Sequence, residues 1–251
     1  MSETRVAWVT GASGGIGRAL SLRLAGQGWE VAASARGEEK LRELAAQADG
    51  RVQVHPLDVT DAAATEAVVA AIEEQHGPIE LAVLNAGDYQ PMPADAFDAE
   101  LCHRLMTVNY LGVVHGLAAL LRRMRARGRG EILIMASVAG YRGLPLAAPY
   151  GATKAALINL AESLRAELGH AGVVIRVVNP GFVRTDLTAQ NDFRMPALMP
   201  VEAAAEAIVD AIGGRSFEIT FPRRFTYVLK VLRMLPYALY FPLVRRMTGQ
   251  G

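Results

Sequence analysis

The chain has 251 residues, 51% of them hydrophobic, with 26 Lys and Arg against 25 Asp and Glu for a formal net charge of +1. That length and apolar share fit one well-cored α/β domain, and the near-zero charge excludes a global field for nucleic acid. The single Cys102 excludes an intramolecular disulfide and suits a reducing, cytoplasmic setting, and the five scattered histidines have no ligand spacing, so no metal site is expected. The first strand starts close to Met1, which leaves no room for a signal or transit peptide.

Val6-Ala7-Trp8-Val9 predicts a buried strand running into Thr10-Gly11-Ala12-Ser13-Gly14-Gly15-Ile16-Gly17, and residues 18–25 carry apolar groups at helical spacing. Strand, glycine turn and helix are the context a dinucleotide fingerprint requires. Gly11 permits the tight turn, Gly15 lets the backbone approach phosphates, and Gly17 lets helix pack on strand. A pyrophosphate would meet the amides and positive end of that helix. The next strand, Val31-Ala32-Ala33-Ser34, ends at Ala35-Arg36 without the acid that binds a ribose 2′-hydroxyl. Arg36 instead offers a planar cation suited to a 2′-phosphate, so NADP (NADPH) is expected in preference to NAD.

Residues 38–48 form an amphipathic helix, 52–57 a third strand, and 62–75 a third helix. Leu81-Ala82-Val83-Leu84 is a fourth strand, followed by Asn85-Ala86-Gly87. A long helix is expected over 99–125, then an apolar run Ile132-Leu133-Ile134-Met135 ending near Ser137. Val173, Ile175 and Val177 mark a sixth strand, ending at Asn179-Pro180-Gly181. This alternation predicts a Rossmann-like, doubly wound parallel sheet in a single domain, with ligands at the carboxyl ends of its strands. Residues 1–222 form the catalytic part and 223–251 a basic, apolar helical extension of the same domain.

Tyr150 and Lys154 stand four residues apart on a predicted helix, so the ammonium lies beside the phenol. An unperturbed phenol, with pKa about 10, is a poor acid/base near neutrality, and a neighbouring cation lowers it. Ser137 can donate a hydrogen bond to the same substrate oxygen.

Taken together, these residues resemble the short-chain dehydrogenase/reductase family in its compact one-domain form, over the chain to about Pro222. Thr10 to Gly17 match its Thr-Gly-x-x-x-Gly-x-Gly, and Asp58, with Val59 beside it, matches the acid that binds the adenine amino group. Asn85-Ala86-Gly87 match its Asn-Asn-Ala-Gly motif, except that Leu84 replaces the first Asn, a change at a structural hydrogen bond. Asn109 matches the helix asparagine that holds a proton-relay water, and Ser137, Tyr150 and Lys154 match the catalytic trio. Pro180-Gly181, Val183 and Thr185 fall in the segment that closes over nicotinamide.

The resemblance implies hydride transfer between nicotinamide and a carbonyl or alcohol carbon. Tyr150 would be the acid/base and Ser137 the carbonyl orienter. Lys154 would hold the ribose and lower the phenol pKa, while Asn109 would serve a proton relay. It also implies a homodimer or homotetramer through the helices at 99–125 and 150–169. A non-catalytic NADP-binding sensor and a membrane-associated scaffold are the alternative functions.

After Glu218 no acidic residue follows, while Arg223, Arg224, Lys230, Arg233, Arg245 and Arg246 alternate with large apolar groups. A bilayer span is excluded by the charges and by Pro236 and Pro242. Two readings stay open: short amphipathic helices at 226–235 and 237–246 lying on an anionic membrane, or helices lining the substrate mouth or a subunit interface. The first would make the protein peripheral at the inner face of a membrane. A lid at 186–200 carries Leu187, Phe193, Met195, Leu198 and Met199, which suits a bulky lipophilic ketone or alcohol.

Overall fold

The computed structural model describes residues 5–193 and 195–248. Seven parallel strands form one sheet in the order β3-β2-β1-β4-β5-β6-β7. They are β1 (Val6–Thr10), β2 (Glu30–Ser34), β3 (Val52–Val54), β4 (Ile79–Leu84), β5 (Gly130–Met135), β6 (Val173–Pro180) and β7 (Glu218–Phe221). The strands are short and nearly all apolar because both faces of the sheet are covered. One core cluster gathers Trp8, Leu84, Ile132 and Leu157 on one face, and the other gathers Val9, Leu24, Val83 and Ile208 on the opposite face.

The helices are α1 (Gly15–Gly26), α2 (Glu38–Ala45), α3 (Ala62–His76), α4 (Ala99–Met106), α5 (Gly112–Arg127), α6 (Ala148–Glu167), α7 (Val201–Val209), α8 (Arg223–Met234) and α9 (Tyr237–Thr248). Asp61 caps α3 by accepting from Ala64 N at 2.9 Å, and Asp98 caps α4 through Glu100 N at 2.8 Å. The expected helix over 99–125 is α4 and α5 joined by a π turn, Thr107–Leu111. The continuous stretch Ala99–Arg127 is long and apolar enough to cross a membrane by length and composition. Its Leu117, Leu120 and Met124 are instead buried in the sheet-facing core.

Two expectations shift. The third strand stops at Val54, although His55 N and Leu57 N still donate to Ala33 O and Ala35 O at 3.0 Å each. Pro56, between them, has no N–H to give, and the regular ladder ends there. Leu84, where the family pattern has asparagine, is buried against Trp8 and Gly116, and a methyl group on Gly116 would fall 2.8 Å from Leu84 Cδ2. Close apolar packing thus occupies the place of the expected polar contact.

The chain order reverses between β1 and β4, the neighbours at the switch point of the sheet. The sequence motifs lie at the carboxyl ends of six strands: Thr10, Arg36, Asp58, Asn85, Ser137 and Pro180 end or follow β1 to β6 in turn. That edge is where a doubly wound sheet binds its ligands.

Candidate active site

At the switch point the two central strands are stitched by side chains. Thr10 Oγ1 accepts from Asn85 N at 2.9 Å and Ala86 N at 3.0 Å, and Asn85 Nδ2 donates to Thr10 O at 3.0 Å and Gly11 O at 3.3 Å. Gly11 takes φ +67°, and a methyl group on Gly17 would fall 2.3 Å from Gly11 O, so the turn tolerates no side chain at either place. Gly14 opens onto free space, while a methyl group on Gly15 would meet Thr185 Cγ2 at 3.2 Å. Ser13 and Ile16 lie half-buried in the same turn.

The first turn of α1 has neither a capping side chain nor an acidic residue. Its amides and dipole therefore suit a diphosphate. These observations fit a dinucleotide, with Gly11, Ser13, Gly14, Gly15, Ile16 and Gly17 around its phosphates.

Arg36 is exposed beyond β2. Asp58, exposed beyond β3, accepts from Thr60 N at 3.0 Å and Thr60 Oγ1 at 2.8 Å. The Thr60 amide, then its hydroxyl and the charge of Arg36, hold the Asp58 carboxyl below its ordinary value against a smaller opposing effect of burial. Arg36 and Asp58 therefore sense one another at one end of the cleft. Val59 is buried, with its carbonyl 2.9 Å from His115 Nδ1.

Ser137 follows β5 and accepts from Ala139 N at 3.1 Å. Tyr150, in the first turn of α6, hydrogen-bonds to the Ser137 side chain. One turn on, Lys154 is 3% exposed and donates to Met135 O, the last residue of β5, at 2.9 Å. Its Nζ lies 5.5 Å from the Tyr150 ring centre. Helix spacing and strand end thus converge on a Ser–Tyr–Lys group.

The electrostatics differ from the expectation that Lys154 depresses the phenol. Burial pushes Tyr150 up to about 12, the Ser137 hydrogen bond pulls the other way, and Tyr89 adds to the rise. Burial also drives Lys154 down to about 8. Low local polarity disfavours both charged forms.

Asn109 is fully buried in the π turn. Its Oδ1 accepts from Asp88 N at 2.7 Å, while Nδ2 donates to Asp88 O at 2.9 Å and Thr153 Oγ1 at 3.2 Å. A methyl group on Gly87 would sit 3.3 Å from Asn109 Oδ1 and 3.7 Å from Lys154 Nζ, so Asn109 and Lys154 flank the same glycine. Asn109 thereby ties the strand end after β4 to α6. π turns inside helices recur at functional sites.

Pro180 ends β6, and Gly181 N donates to Phe221 O at 2.8 Å. Val183 is buried and bridges Met199, which pins the two ends of the lid. Thr185 N donates to Thr188 Oγ1 at 3.0 Å.

Sequence reading missed Tyr89. Its ring packs edge-on against Tyr150, with centroids 5.0 Å apart, and its hydroxyl donates to Asn191 Oδ1 in the lid at 2.7 Å. No spacing rule links residue 89 to 150 or 191; only the fold does. Phe182 links the lid to the tail, 5.8 Å from Phe193 and 5.7 Å from Phe225.

A glycine turn at the switch point, together with a Ser–Tyr–Lys group two strands away, places the chain among doubly wound nucleotide-binding proteins. A profile of the short chain dehydrogenase family matches residues 5–195. An uncharacterized oxidoreductase of Myxococcus xanthus is 38% identical over 247 residues, 97% of each chain. A putative ketoacyl reductase of Streptomyces coelicolor is 37% identical over 200 residues, 74% of each chain. Among solved structures, a short-chain dehydrogenase from Streptomyces avermitilis superposes with TM-score 0.80 at 25% identity, covering 98% of this chain and 96% of that one. Actinorhodin polyketide ketoreductase with NADPH gives TM-score 0.80 at 27% identity, covering 88% of this chain and 97% of that one. The chain belongs to the short-chain dehydrogenase family of oxidoreductases.

Proposed function

We propose that the protein is an NADP-dependent reductase of lipophilic carbonyl compounds, with Tyr150 as the proton donor. The observation that carries this reading is the Tyr150 hydroxyl, bonded to Ser137 and one helical turn from the buried Lys154. Ser137 orients the substrate carbonyl and stabilises its developing charge, and Tyr150 gives its proton to the same oxygen. A phenol held at about 12 remains protonated at neutral pH, which suits donation, hence reduction. Lys154 supplies positive charge beneath the phenol and a donor for the cofactor ribose. Asn109 holds the Asp88 backbone and α6 in register, beside the path by which Tyr150 is reprotonated. When bound, a nicotinamide supplies the hydride.

NADP in preference to NAD rests on Arg36 and on the lack of an acid at the end of β2. Asp58 and Val59 would flank the adenine, Asn85, Ala86 and Gly87 the neighbouring ribose, and Pro180, Gly181, Val183 and Thr185 the nicotinamide. The lipophilic substrate is supported by Tyr89, Phe182, Leu187 and Phe193 around the lid, of which Leu187 and Phe193 are exposed. The ketoreductase relatives point to the same carbonyl chemistry.

The test is NADPH oxidation with a series of 2-ketones of increasing chain length. Rising kcat/KM with each added methylene is expected, and a preference for small polar carbonyls would sink the substrate assignment.

A further inference from the structure

Each of the two C-terminal helices buries one apolar side and leaves further large apolar groups exposed. On α8, Thr226 and Leu232 are buried, and Phe225 and Leu229 pack on the core. The opposite face carries Tyr227, Val228, Val231 and Met234, at i, i+1, i+4 and i+7, which fall within about a third of the helix circumference. Met234 is 76% exposed. α9 buries only Tyr240 and Val244 of its large apolar groups and leaves out Tyr237, Leu239, Phe241, Leu243 and Met247. Among the described residues, nine of the thirteen exposed large hydrophobic side chains lie on this pair, so the apolar surface is concentrated there.

The pair is fastened to the catalytic part. Arg142 Nη1 donates to Leu232 O at 3.1 Å, Arg233 O at 3.2 Å and Leu235 O at 2.5 Å, which satisfies the carboxyl end of α8. The same guanidinium lies 3.9 Å from the Tyr240 ring centre and 4.7 Å from that of Tyr237. Tyr240 Oη donates to Gly143 O at 2.6 Å, and Lys230 pairs with Glu218. The exposed stripe is therefore displayed by a fixed framework.

Charge selects the occupant. Glu218 is the last acidic residue and is engaged by Lys230, Tyr141 and Asn179. Arg223, Arg224, Arg245 and Arg246 have no carboxylate partner among the described residues. A second copy docked face to face through this surface would set these cations against themselves, with no carboxylate to offset them. An anionic lipid surface supplies both the apolar layer and the counter-charge. Each helix is 12 residues long, about 18 Å, and too short to cross a hydrocarbon core of about 30 Å.

We propose that α8 and α9 lie flat on an anionic bilayer, with Tyr227, Val231, Met234, Tyr237 and Phe241 in the interface and the arginines on lipid phosphates. On its core-facing side α8 is packed beside the lid, through the ring contacts of Phe225 with Phe182 and of Phe182 with Phe193. The inference concerns binding alone and stands whatever the substrate is.

The test is flotation of the full chain with phosphatidylcholine vesicles, with and without phosphatidylglycerol, beside two variants. Wild type should bind the anionic vesicles at least about tenfold better than the neutral ones, with binding weakened by salt. Val231→Glu with Met234→Glu should lower that binding by about tenfold or more, with the melting temperature retained because both side chains face solvent. Arg245→Gln with Arg246→Gln, which disturbs no buried group, should lower anionic binding several-fold and leave neutral binding unchanged. Absence of wild-type binding, equal binding to neutral vesicles, or unchanged binding by the Val231/Met234 variant each overturns the proposal. So does light scattering in which that variant dissociates an oligomer while the wild type ignores vesicles.

Discussion

Tyr150 and Lys154 are pushed in opposite directions by one cause, burial, and their pH behaviour follows. With the phenol at about 12 and the ammonium at about 8, reductive kcat/KM should be level near neutrality and fall above pH 8, as Lys154 loses its charge. The oxidative rate, which requires phenolate, should rise with pH; matched pH–rate profiles in both directions check this. Stability has its own sign. Lys154 sits below its ordinary 10.5 in the folded chain, so below about 8 the fold bears the cost of a buried charge. Between about 8 and 10.5 the unfolded chain holds the proton and the folded one does not, so stability rises with pH over that window. Lys154→Met should therefore raise neutral-pH stability by about 1–3 kcal/mol in urea melts, less what Met135 O loses, while activity collapses. Tyr150 and Lys154 were legible because i, i+4 spacing survives in any helix. Their pKa values were not, because burial depends on strands distant in sequence.

The π turn at Thr107–Leu111 is the element on which the site hinges, because it carries the buried Asn109. Asn109→Ala would leave the N–H and carbonyl of Asp88 without their side-chain partners, at a cost of about 2–4 kcal/mol. Lowered kcat should accompany a lowered denaturation midpoint. Apolar periodicity over 99–125 revealed the helix, but the single extra residue of a π turn barely moves a 3.6-residue pattern. β7 escaped notice for a different reason: four residues at the sheet edge, with only Ile219 and Phe221 buried, carry too little pattern. At the end of β2, Arg36→Glu should shift cofactor choice toward NADH. One lost charge-assisted contact of about 1.5–3 kcal/mol corresponds to roughly 10–100-fold in the NADPH/NADH ratio of kcat/KM.

At the scale of the whole molecule, a parallel sheet collects at one edge groups that come from six separate stretches of sequence. The parallel, doubly wound sheet was implied by strand–helix alternation, and the glycine turn, the strand-end motifs and the Tyr–Lys pair were all readable; the strand order, with β7 at its edge, was not. Contacts that join this edge to the lid and tail were not, since Tyr89–Tyr150 and Arg142–Tyr240 obey no local rule. Arg142→Ala should free the carboxyl end of α8, and faster hydrogen exchange over α8 and α9 with little change in the sheet would report it. The central claim, that this edge is a proton-transfer site driven by Tyr150, is tested most directly by NADPH turnover of a long-chain ketone in wild type and Tyr150→Phe. The account predicts a loss of about 10²–10⁴-fold in kcat with NADPH affinity retained. Turnover within a few-fold of wild type would contradict it.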